Sequence, residues 1–135
     1  ATARWRLPRI SRKITALTCV LHELTGRPHM SILIIHCTCA DAESAAAIAR
    51  SLVEERLAAC ASQLPGVRST YRWQGQVECA DEVLLLIKST RERHPALAAR
   101  LRELHSYELP EIIAVDVSVA DPAYQAWVES QVKPD

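Results

Sequence analysis

Two cysteines one residue apart, Cys37 and Cys39, close the apolar run in "SILIIHCTCADAE". If that run is a strand, period-two alternation puts both thiols on one face and His36 on the other. Thiolates joined by an imidazole suit copper(I), zinc and similar soft or borderline ions. His105 offers the imidazole, within "ELHSYELPEII", where Tyr107, Glu108, Pro110 and Glu111 follow it inside seven residues. A structural zinc site would show paired Cys-x-x-Cys or Cys/His motifs, and no such pairing occurs. The competing reading is plainer. Cys37 packs as a small hydrophobe, His105 is a cation suited to a helix C-terminus, and Glu108 and Glu111 are solvated. Ligation needs neutral imidazole, so the two readings of His105 oppose each other. Tyr107 serves an interface as readily as a ligand, and Pro110 stiffens the turn by pushing Leu109 extended.

The elements that must position these residues are legible in outline. Asp41 offers an N-cap, and Glu43 suits the first turn of a helix. Ala45, Ile48, Ala49, Leu52 and Val53 share one face of that helix. Cys60, in "LAACAS", reads as a core cysteine in the apolar stretch that follows. Pro65–Gly66 is expected to break the chain. "VRSTYRWQGQVECADEVLLLIKST" then reads as a β-hairpin turning at Gln74–Gly75, with Ser69, Tyr71 and Trp73 on one side and Cys79 partly exposed. Thr90 or a neighbour opens a second helix, with Pro95 in its first turn, and Leu97, Ala98, Leu101, Leu104 and His105 on one face. "IIAVDVSV" reads as a strand. Asp121–Pro122 starts a last helix, with Tyr124, Trp127 and Val128 together. The order β-α-β-β-α-β plus a C-terminal helix predicts an α+β, ferredoxin-like fold: an antiparallel sheet with helices on one face.

One length does not fit a compact body. Gln76 to Thr90 would extend about 50 Å at ~3.3 Å per residue, against a domain diameter of roughly 33 Å. Either a bulge near Ala80–Asp81 bends this arm or its tip projects, exposing Tyr71, Trp73 and Val77. Open strand edges invite association, and closed rings remove them. Self-association is therefore expected.

The 135 residues, 49% of them hydrophobic, suit one domain with a core of its own. The formal net charge is zero, yet residues 1–29 hold six basic side chains against Glu23 alone. Residues 30–135 carry ten basic and fifteen acidic groups, which argues against nucleic acid as the principal partner. No apolar run approaches the ~20 residues of a membrane span, so no membrane partner is expected. Five cysteines without regular spacing point to a reducing, cytoplasmic setting. The basic segment 1–29 reads either as a transit-type leader or as a non-native or disordered extension before Met30, the lone methionine. The domain is taken as 30–135.

The segments "CTCADAESA", "ERLAACASQLPGVRSTYRWQGQVE", "LLLIKST", "LHSYELPEIIAVDV" and "YQAW" together resemble the CutA family of divalent-cation tolerance proteins, across nearly all of 30–135. The resemblance implies a ferredoxin-like subunit, a tight homotrimer with hairpins crossing between subunits, and a cytosolic protein. It also implies binding of copper or another divalent cation and no enzymatic activity. Cys37 matches the family's early cysteine, Cys60 the "AAC" cysteine and His105 the "H-P-Y" histidine. Tyr71, Trp73, Tyr107, Glu108 and Glu111 would lie at the trimer interface or its cleft. There are departures. The usual "T-x-P-D" is Thr38-Cys39-Ala40-Asp41, the proline after the histidine is Ser106, and a second histidine of some members is Leu104. Cys39 is proposed as a compensating ligand on this chain's own chemistry.

Two other classes compete. The similar PII signalling proteins also form trimers and bind small molecules between subunits, although no Gly-rich phosphate cradle is present here. A Cys37–His105 pair could imitate a thiolate–imidazole nucleophile, but no third orienting group is evident.

Overall fold

Apolar, mostly branched residues build the first strand, β1 (Ile32–Cys39), whose side chains alternate between buried and half-buried from Leu33 onward. The computed structural model describes residues 32–134, so the readings made for segment 1–29 lie outside the described residues. Asp41 caps α1 (Ala42–Glu54) as expected: its backbone is extended and its Oδ1 accepts from Ser44 N at 2.7 Å. Ala45, Ile48, Ala49 and Leu52 form the buried face of α1. Val53, expected with them, is instead 41% exposed. Eight residues on, it sits about 80° round the helix from Ala45 at 100° per residue, at the edge of the stripe.

The remaining described elements are β2 (Cys60–Trp73), β3 (Gln76–Thr90), α2 (His94–Leu104), β4 (Ile113–Asp116) and α3 (Pro122–Gln131). The strands lie in the order β2-β3-β1-β4, every neighbour antiparallel. Strands β1 and β2, joined by α1, therefore run parallel with β3 between them, which is the split βαβ arrangement. The expected ferredoxin-like α+β architecture is present.

Several local expectations are corrected. Pro65–Gly66 does not break the chain. It forms a bulge inside β2, where Leu64 pairs with Leu84 but Val67 with Glu82, and Gly66 takes φ +80°. Proline is tolerated there because β2 is an edge strand and a bulge leaves a residue out of the ladder. The irregularity thus lies opposite the arm in which Ala80–Asp81 was expected to bend. Thr90 closes β3 rather than opening a helix; a turn with Arg93 N bonded to Thr90 O at 3.1 Å precedes α2. Pro95 does fall in the first turn of α2. Cys60 begins β2, half-buried and outside the core, with its Sγ 3.4 Å from the Tyr124 hydroxyl. β4 spans only four residues of "IIAVDVSV".

The hairpin turns at Gln74 and Gly75, both with positive φ (46° and 81°), the sign required by a two-residue loop matched to strand twist. Along β3 the residues from Gln76 to Asp81 are exposed or half-buried, whereas Glu82, Val83, Leu85, Ile87, Ser89 and Thr90 are buried. The ribbon's tip half projects, leaving Tyr71, Trp73 and Val77 exposed.

Parity in β1 decides where the core lies. Leu33, Ile35, Cys37 and Cys39 pack with Val83, Leu85 and Ile87 of β3, under α1 and under Leu97 and Leu101 of α2. A second cluster joins Ile32 and Ala59 to Val128 and Val132 in and just after α3, so α3 meets the sheet's opposite face. Tyr124 and Trp127 stay about two-fifths exposed. Elsewhere on that face, among the described residues, Leu64, Ile113 and Val115 are exposed and Ile34, Leu84 and Leu86 half-buried. Leu85, fully buried at the centre, is the residue to test. Leu85→Ala should lower unfolding free energy by about 2–5 kcal/mol, read from urea denaturation.

Candidate functional site

The site assembles where β1 and α2 end. Alternation sends the Cys37 and Cys39 side chains into the core, both fully buried. Helix α2 stops at His105, whose N–H still donates to Leu101 O at 2.9 Å while its ψ of 139° turns the chain away. The imidazole bridges back to β1, with Nε2 2.8 Å from Thr38 O, and Nδ1 accepts from Tyr107 N at 3.0 Å. A backbone N–H can only donate, so Nδ1 carries no proton and Nε2–H donates to the Thr38 carbonyl. His105 is held as neutral imidazole. One ligand atom each from Cys37, Cys39 and His105 lies within 4.8 Å of the others.

The thiols share their protons unequally. A hydrogen bond to Cys39, then burial and the Cys39 charge, hold the Cys37 thiol far above the ordinary range. Accepting that bond lowers Cys39, against the opposing effect of its own burial. Ligating histidines characteristically donate their other ring N–H to a carbonyl or carboxylate. The Nε2–H bond to Thr38 O would serve that purpose if Nδ1 were the ligand and Tyr107 N–H gave way. Ligation through Nε2 would lose the Thr38 bond and move the proton onto Nδ1, where Tyr107 N–H already points.

Beside the thiols a cleft of about 740 Å³ opens between the hairpin and residues 106–111, lined by Tyr71, Trp73, Glu82, Tyr107, Glu108 and Glu111 among others. Tyr107 donates its hydroxyl to Glu82 at 2.8 Å, and Thr38 donates to Glu111 at 3.3 Å. Burial, then the bond and charge of Glu82, raise Tyr107 well above the usual phenol range. Tyr71 donates to Glu78 at 3.4 Å.

The structure brings Cys37, Cys39 and His105 together, and Tyr71, Trp73, Tyr107, Glu108 and Glu111 line one groove of the single chain. His36 points elsewhere, pairing with Leu86 and Ile113 in the sheet. Cys79 is exposed on the hairpin beside Thr70. Sequence reasoning missed Glu82, which is only 8% exposed. Its signal was a carboxylate directly preceding the apolar run Val83–Ile87, where a buried acid needs a donor.

The model of the family described as CutA1 divalent ion tolerance protein matches residues 33–131. The chain belongs to that CutA1 family. It is 39% identical over 110 residues to a divalent-cation tolerance protein CutA of Pectobacterium atrosepticum, covering 82% of this chain and all of that one. A Thermus thermophilus CutA is 46% identical over 86 residues, 64% of this chain and 84% of its own. Among solved structures, CutA from Xylella fastidiosa superposes with a TM-score of 0.75 at 50% identity, covering 76% of this chain and 99% of that one. CutA is a family of tolerance proteins, not of enzymes. Within the CutA fold, the long β2–β3 ribbon and the α2–β4 turn form the two walls of the cleft.

Nitrogen-15 NMR of the metal-free protein should show His105 with Nε2 protonated and Nδ1 bare; the opposite tautomer would contradict the bonding described. Tyr107→Phe leaves buried Glu82 without its donor and should cost about 1–3 kcal/mol. The tyrosine's raised value also carries a sign. Its contribution is full below the ordinary value of 10.0 and fades as pH climbs through the folded one. The variant should therefore lose part of the alkaline fall in stability, read from denaturation midpoints across pH.

Proposed function

We propose that this CutA-family chain is a homotrimeric tolerance protein that binds copper or another divalent cation at Cys37, Cys39 and His105, as part of the response to metal ions. The observation that carries the reading is the convergence of two thiols and a neutral imidazole within 4.8 Å, a donor set suited to copper and zinc. When bound, the ion would supply no reaction; burial of its ligands would keep it from other cellular groups. The relatives' names point the same way, since both curated CutA proteins are called divalent-cation tolerance proteins.

Three copies would cover what one leaves open. The projecting ribbon offers free edges, and the part of the open sheet face bearing Leu64, Ile113 and Val115, away from α3, is exposed among the described residues. Covering that face and pairing the ribbon in a closed ring would remove both liabilities. Tyr71, Trp73, Tyr107, Glu108 and Glu111 would then line the junction between subunits. We place the protein in the cytoplasm, because the four cysteines among the described residues are free thiols, as a reducing compartment would keep them.

A second reading has one observation behind it: the cleft of about 740 Å³ is of small-ligand size. A PII-like signalling trimer would use it for a small molecule. Thermal shift by a metabolite and by no metal would favour that reading.

Calorimetric titration under reducing conditions should show copper binding that weakens at least ~10-fold in Cys37→Ser and in His105→Ala. Unchanged binding in both variants would remove these ligands. Light scattering at micromolar concentration should give three times the 15.0 kDa chain mass; a monodisperse monomer would end the trimer reading.

A further inference from the structure

The donor cluster at the end of β1 has a composition that bears on which ion it accepts. Among the described residues, the one group of three or more potential ligand side chains is Cys37, Cys39 and His105, with no carboxylate in it. Three acids lie around it without joining it: Glu82 accepts the Tyr107 hydroxyl, Glu111 the Thr38 hydroxyl, and Asp41 caps α1 through Ser44 N. Water is also kept away: Cys37 and Cys39 are 0% exposed and His105 8%. The site therefore offers three donors, two of them sulfur, with no fourth His, Cys, Asp or Glu in the cluster among the described residues.

We propose that Cys39 makes this a two-thiolate, one-imidazole site that selects monovalent copper over divalent cations. The inference rests on the metal-binding reading above and sharpens it. Zinc is almost always four-coordinate in protein sites, and here a fourth ligand would have to be a group drawn in from outside the cluster or water admitted to the core. Divalent copper favours tetragonal nitrogen and oxygen donors, whereas thiolates select the soft cuprous ion. Three donors in a dry pocket suffice for cuprous copper. Without Cys39 the set falls to one sulfur and one nitrogen, and the preference goes with it. No electron transfer is involved: the ion arrives reduced, and each ligating thiol gives its proton to solvent. Cys39 is thus the specificity-determining residue, while Cys37 and His105 serve any ion the site takes.

The test uses the full 135-residue chain under anaerobic conditions. Cuprous ion is supplied as its acetonitrile complex against bicinchoninate as competitor, and zinc in parallel against a chromogenic chelator. Cuprous copper should bind at least ~1,000-fold more tightly than zinc, and Cys39→Ser and Cys39→Ala should each weaken it about 100-fold while changing zinc less than ~10-fold. X-ray absorption of the loaded protein should show a cuprous edge with two sulfur neighbours and one nitrogen. Circular dichroism and the thermal midpoint establish that each variant is folded, and the absorption spectrum of the unaltered chain decides the matter if neither is. The proposal is overturned if zinc matches copper, if absorption shows a single sulfur, or if the Cys39 variants bind cuprous copper undiminished. In the last case, weakened binding in Cys37→Ser would leave the broader metal-binding reading standing. If the unaltered chain binds neither ion, both readings fall.

Discussion

The antiparallel pairing of Ile32–Cys39 with Val83–Thr90 is the constraint on which the rest of the molecule depends. It places β1 in the middle of the sheet, with β3 on one side and β4 on the other. Every second side chain must then face α1 and α2 and the others the open face. A slip of one residue would exchange the two sets. The same parity that buries Leu33 and Ile35 carries Cys37 and Cys39 into the core and aims Thr38 at Glu111 on the far side. Core and donor cluster are therefore one construction.

His105 couples that cluster to the cleft. Its two ring nitrogens hold β1 through Thr38 O and the α2–β4 turn through Tyr107 N. The Tyr107 ring lies 4.8 Å from the imidazole, centroid to centroid, and its hydroxyl reaches Glu82. An ion that took Nδ1 would displace the Tyr107 amide and one that took Nε2 would displace the Thr38 carbonyl, so ligation by either nitrogen would release a bond to the turn or to β1. The donor cluster and the cleft are thus neighbours, so the two proposed uses do not compete for the same space.

The ribbon supplies the other half of the functional case. Its tip half contributes little to the subunit's own core, yet it carries Tyr71, Trp73 and Val77 in solvent. Exposed aromatics on a free strand edge are a liability for a monomer and an asset for an assembly.

Much of this was legible from residue types alone. Period-two and period-3.6 patterns placed β1, α1, the hairpin and α2, because burial of one face imposes them on any amphipathic element. Asp41 and Asp121 marked helix starts, since a cap is a local bond between a side chain and amides two or three residues on. Cys37, Cys39 and His105 could be nominated by donor chemistry. The tertiary structure alone decided that Pro65–Gly66 is a bulge, since an edge position is a property of the sheet and not of the dipeptide. It alone decided that Cys60 meets Tyr124 outside the core and that Glu82 is buried against Tyr107, contacts between residues 64 and 25 positions apart. Local periodicity tells a side chain which way to face. What it meets there depends on how distant strands and helices are brought together.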